Sequence, residues 1–146
     1  MIKFIKTDGG RAAAGFSSTA DDCVARSIAI ITDRPYKEIH DELTEWQGFS
    51  ADAGGNLCGD YTYKKFIENL GFKWIPTMKI GSGCKVHLRE SELPKGRIIA
   101  RVSAHLVAVI DGVIYDNHDC SRSGKRCVYG YFIFCIVPCA KYVAKN

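Results

Sequence analysis

The stretch His105-Leu106-Val107-Ala108-Val109-Ile110-Asp111-Gly112-Val113-Ile114-Tyr115-Asp116 decides how this chain folds. Two aliphatic runs flank an Asp-Gly pair, the dipeptide best suited to a two-residue turn with positive φ at both centres, so a β-hairpin is expected. With that turn Ile110 opposes Val113, Val107 opposes Asp116 and His105 opposes His118. Side chains alternate between faces, which puts His105 and Asp116 on one face, a diagonal step apart. Diagonal neighbours stand ~7–8 Å apart at the backbone, within reach of an imidazole–carboxylate hydrogen bond. Asn117 points to the other face if the strand stays regular, and a bulge would exchange the two. A carboxylate so placed orients the imidazole and stabilises its protonated form.

Outward from the hairpin, the Ile-, Val- and Ala-rich run Arg97 to Val102 reads as a strand. Val128 to Val137 reads as the last strand, ended by Pro138. Ser91 to Gly96 reads as a turn or a short helix. Further toward the N-terminus the period becomes helical. Tyr36, Ile39, Leu43 and Trp46 fall at i, i+3, i+7 and i+10, an amphipathic stripe on a helix opened by Pro35. His40, Asp41 and Glu45 lie on its other faces, and His40 reads as a solvated residue. After a loop from Gly48 to Gly59, Asp60 is expected to cap a third helix burying Tyr63, Phe66, Ile67 and Leu70 and ended by Gly71. Phe72 to Ile75 is a short strand ended by Pro76, a loop follows around Gly81 to Gly83, and Ile2 to Ile5 is a possible strand. The fold class is α+β, with N-terminal helices packed on a C-terminal antiparallel β-sheet.

The first helix is the one that carries chemistry. In Thr19-Ala20-Asp21-Asp22-Cys23-Val24-Ala25-Arg26-Ser27-Ile28-Ala29-Ile30-Ile31, the residues Val24, Ile28 and Ile31 build a buried face. Asp21 or Asp22 can cap the first turn. Cys23 therefore stands at a helix N-terminus, where free N–H groups and the dipole favour a thiolate. The helix should stop near Asp33, because Pro35 biases Arg34 away from helical angles. If it packs across the sheet with its N-terminus at the histidine end, Cys23 meets His105 and Asp116.

Composition bounds the rest. The 146 residues are 47% hydrophobic and 25% charged, as expected of a single globular domain over 1–146. No apolar run is long enough to cross a bilayer, and Met1 to Asp8 lacks a signal peptide's apolar region, so a cytoplasmic protein with no membrane partner is expected. The net charge of +4 comes from scattered basic residues, with no block longer than Lys64-Lys65 or Lys125-Arg126, and does not point to nucleic acid. Seven cysteines are present without a C-x-x-C pair. Cys135 and Cys139 have a spacing zinc could use but lack a second close pair, and His118 near Cys120 and Cys127 is a faint metal signal. The expectation is no metal and no cofactor, with most thiols acting as small hydrophobes in a reducing cytosol. Cys84, in a glycine-rich loop, could be exposed.

An Asp-Cys opening a helix, two further helices, then a sheet with "HLVAVIDGVIYD" resembles the papain-like cysteine peptidase superfamily over roughly residues 17–137. In outline it is similar to the small bacteriocin-processing peptidase domains, and such short chains also resemble proteins carried by tailed bacteriophages. The resemblance implies a papain-like α+β fold, with Cys23 as nucleophile, His105 as general base and acid, and Asp116 as its orienter. It implies a hydrolase acting by acyl transfer on a peptide or protein substrate, in a bacterial host cytoplasm if phage-encoded. The family's usual oxyanion Gln before the nucleophile is missing. Here the region is Ser17-Ser18-Thr19, so the Cys23 N–H and a Ser17 or Thr19 hydroxyl are the available donors, with Asp22 and Asn117 as secondary residues. Loss of an oxyanion donor costs about 10²–10³ in rate. Two other functions stay open: a papain-like binding module that modulates a host or partner protein, and a small basic nucleic-acid-binding regulator.

Overall fold

The computed structural model describes residues 2–17, 20–53, 62–79 and 81–134. Its elements in chain order are β1 (Lys3–Lys6), α1 (Cys23–Thr32), α2 (Tyr36–Gln47), α3 (Thr62–Asn69), β2 (Phe72–Pro76), β3 (Val86–His87), a 3-10 turn (Glu90–Glu92), β4 (Arg97–Val102), β5 (His105–Ile110), β6 (Val113–Asp116), β7 (Cys127–Val128) and β8 (Gly130–Phe134). The architecture is α+β.

Local chemistry sets most boundaries. α1 ends where Asp33 turns left-handed at φ 59°, two residues before Pro35. α2 ends at Gly48, φ 83°, whose N–H returns to the Thr44 carbonyl. The hairpin forms in the expected register, Ile110 opposite Val113, with Asp111 at φ 49° and Gly112 at φ 77°. Gly112 meets two demands, since a Cβ there would also stand 2.6 Å from the Glu90 side chain.

The main sheet runs β1-β6-β5-β4-β8-β2 and is mixed, which corrects the antiparallel expectation. β4, β5, β6, β8 and β2 do pair antiparallel, but β1 returns to lie parallel beside β6, Lys3 against Val113 and Lys6 against Asp116. The last expected strand divides at Tyr129. Cys127–Val128 pairs with β3 in a separate two-stranded sheet, while Gly130–Phe134 joins the main one. Gly130 suits that position because any side chain would collide with the Trp74 indole and the Ile75 carbonyl. Pro138, Asp60 and cysteines 58, 135 and 139 lie outside the described residues.

β4 and β5 are buried on both faces, the reason their sequences are near-continuous apolar runs. The three helices cover one face, where Ile28, Ile39, Leu43 and Ile67 meet Ile99, Leu106 and Phe132. The opposite face, carrying Ile98, Val107, Val109 and Ile114, is covered by Ile2, Leu88, Leu93, Cys120 and Val128 from non-helical segments. Each fully buried Ile or Leu contributes roughly 1.5–3 kcal/mol.

Three expectations need correction. Trp46 is 44% exposed; its ring packs beside Phe66 and its indole N–H donates to the Thr62 carbonyl. His40 is buried, because Phe16 and Tyr36 close over its ring and Asp52 takes its Nε2 at 2.9 Å. Cys84 is exposed as expected, but it is bonded to Cys127 and so is not a plain thiol.

Candidate active site

The site lies at one end of the sheet. β5 begins with His105, and β6 ends with Asp116 on the adjacent strand. Their shared face, set by the two-residue turn, brings His105 Nε2 to 2.7 Å from Asp116 Oδ2. α1 lies across β5 and β4 with Cys23 as its first residue. Nε2 is taken by Asp116, so Nδ1 is the ring nitrogen left for a sulfur.

Two buried cysteines are among the groups that raise the His105 pKa. Burial would lower the His105 pKa, but hydrogen bonds to Asp116, then Cys120 and Cys23, outweigh it and push the value up to about 11. Burial likewise opposes ionisation of Asp116. The His105 imidazolium, the Arg26 guanidinium and the Asn117 N–H win, and hold its carboxyl below the usual range. Cys23 and Cys120 are both free and buried, one from the helical layer and one from the layer behind the sheet.

The remaining expected residues take other places. Ser17 Oγ accepts from Arg11 at 3.0 Å. Thr19 lies outside the described residues. Asp22 is the N-cap by position, yet its carboxylate makes no cap hydrogen bond; only its carbonyl enters the helix, accepting from the Arg26 N–H at 2.9 Å. Asn117 donates its backbone N–H to Asp116 Oδ1 at 2.7 Å, while its side chain turns to His118. Of the two alternatives, Asp116 is therefore the partner of His105.

Sequence reasoning missed a buried polar network behind the His105–Asp116 pair. Arg26 reaches Asp22 with one arm of its guanidinium and Asp116 Oδ1 with the other, the second at 3.0 Å. The Tyr36 hydroxyl donates to Asp22 Oδ2 at 2.6 Å and accepts from Arg11 at 2.8 Å. Arg11 also pairs with Asp52 at 2.6 Å, and Asp52 with His40. Burial and the hydrogen bond to Asp22 push the Tyr36 phenol up. One signal was readable: Arg26 is the single charged residue in CVARSIAIIT, four positions after Asp22.

His105, Asp116 and His118 offer ligand atoms within 4.8 Å of one another, a set that could hold a metal ion. Asp116 Oδ2 is held by His105 and Oδ1 by Arg26 and the Asn117 N–H, so a cation there would have to displace a hydrogen-bonded proton.

No family model, no curated protein and no solved structure matches the chain. What it does must be read from these residues. An open groove of about 550 Å³ is lined by Tyr63, Trp74, Met78, Arg101 and Tyr129. Arg101 pairs with Leu106, the residue after His105, so the groove and the His105–Asp116 pair share one end of the sheet. Among the described residues no helix is long and apolar enough to cross a membrane.

Proposed function

We propose that the protein is a papain-like cysteine hydrolase acting by acyl transfer on a peptide or amide bond. The observation carrying this reading is the 2.7 Å contact from His105 Nε2 to Asp116, with Cys23, at a helix start, among the groups that raise the pKa of that imidazole. Cys23 Sγ attacks the substrate carbonyl carbon, and His105 gives the proton at Nδ1 to the departing amine. Water then attacks the thioester, its proton goes to His105, and the carboxylic acid leaves with the thiol restored. The Cys23 N–H at the helix start supports the oxyanion. The aromatic groove at Trp74 and Tyr129 receives a substrate side chain. The setting we propose is cytoplasmic, where Cys23 stays reduced.

A second reading, a papain-like module that binds a partner without cleaving it, is favoured by the burial of Cys23 at 7% exposure. Iodoacetamide titration between pH 4 and 9, with modified residues located by mass spectrometry, separates the two. Cys120 is an internal reference, being buried at the same imidazole but not at a helix start. Selective alkylation of Cys23 below pH 7, lost in His105→Ala, supports the hydrolase. Alkylation of Cys23 no faster than Cys120 gives the field to the binding module.

A further inference from the structure

We propose that Arg26 is the positioning residue of this site, a buried clamp that fixes the Asp116 carboxylate against His105 and ties it to the start of the helix bearing Cys23. The inference rests on the pairing of Cys23 with His105 described above.

The geometry is that of a fork between two carboxylates. Arg26 is 4% exposed, Asp22 2% and Asp116 1%, so three charges sit out of water at the junction of α1 and β6. A buried ion pair is poor evidence of stability, because desolvation offsets much of the attraction. Such a group is better understood by what its geometry holds in place. Asp22 immediately precedes Cys23, and Asp116 is the histidine's partner, so one rigid guanidinium spans the nucleophile's backbone and the base's orienter. The clamp is itself backed on two sides. Tyr36 from α2 holds Asp22, with Arg11 behind it. Gly9, at φ 72°, lets the N-terminal turn close on Arg26, where a Cβ would stand 3.0 Å from Arg26 Cγ. The charged and titratable groups facing the clamp and its histidine are Asp22, Tyr36 and Arg11 on the helical side, and Asp116, His105, Cys23, Cys120 and His118 at the sheet end.

The test compares wild type, Arg26→Lys and Arg26→Gln by melting, by the pH profile of Cys23 alkylation, and by the NMR signal of the His105 Nε2 proton. Arg26→Gln removes a cation beside a site that must carry an anion. Alkylation at pH 7 is expected to fall by about 10²-fold, the scale of a 1 Å misplacement, with the acid limb displaced upward. Arg26→Lys keeps the charge but not the fork, so its acid limb stays in place while its rate falls between the two. The Nε2 proton, held by a fixed carboxylate, should be slow to exchange in wild type and lost to exchange in Arg26→Gln. That signal is read whether or not Cys23 is reactive, so it judges the clamp even where the hydrolase reading fails. A lower melting temperature with the wild-type acid limb and an unchanged Nε2 proton would show a merely structural arginine and overturn the proposal.

Discussion

At the scale of single residues, the His105–Asp116 pair ties chemistry to stability. The His105 pKa is raised from 6.5 to about 11, so its contribution is complete below pH 6.5 and is lost as pH rises through about 11. Asp116 is lowered from 3.8, so its contribution is complete above pH 3.8 and is lost as pH falls through its folded value. The stability advantage of wild type over His105→Ala should therefore be greatest between pH 3.8 and 6.5 and shrink on both sides, as melting curves across pH would show. Asp116→Asn preserves shape but cannot stabilise the imidazolium. Cys23 alkylation at pH 7 should slow by about 10²–10⁴-fold, up to the cost of losing a triad carboxylate. A rate within threefold of wild type would remove Asp116 from the site.

At the scale of elements, the hairpin and the helices were the legible part, because their signals are local. Asp111-Gly112 dictates its turn, the turn dictates register, and register alone put His105 and Asp116 on one face. Gly112→Ala tests that chain of causes. It forces a Cβ onto left-handed backbone and into Glu90, and should cost about 1–3 kcal/mol in denaturant unfolding. The misses share a different cause. His40 and Trp46 exchanged burial because their environments come from Phe16, Asp52 and Phe66 on other elements, which helical spacing cannot see. Asp22 looked like a cap and became a buried anion, because Arg26 and Tyr36 outcompete the first-turn N–H groups for its carboxylate.

At the scale of the molecule, the two apolar clusters divide the labour, helices covering one side of the sheet and loops the other. The Cys84–Cys127 bridge belongs to the loop side, across the small β3–β7 sheet. Cys127→Ser should lower stability by about 2–4 kcal/mol and leave the Cys23 alkylation rate unchanged, since neither cysteine acts on His105. A loss of Cys23 reactivity in that variant would mean the loop layer reaches into the site. Neither the bridge nor the parallel pairing of β1 was legible, because both join segments whose separation carries no local pattern.

That parallel pairing also sets the order in which the site can be assembled. Lys3 finds Val113 more than a hundred positions later, and the Thr7 N–H closes on the Asp116 carbonyl at 2.8 Å. Contacts of such sequence separation carry the largest loop-closure entropy and form slowly. A chain emerging from the ribosome holds its first strand unpaired until β6 has been made. In refolding, helical signal should return before Cys23 regains its wild-type reactivity, the first strand of the chain being among the last to dock.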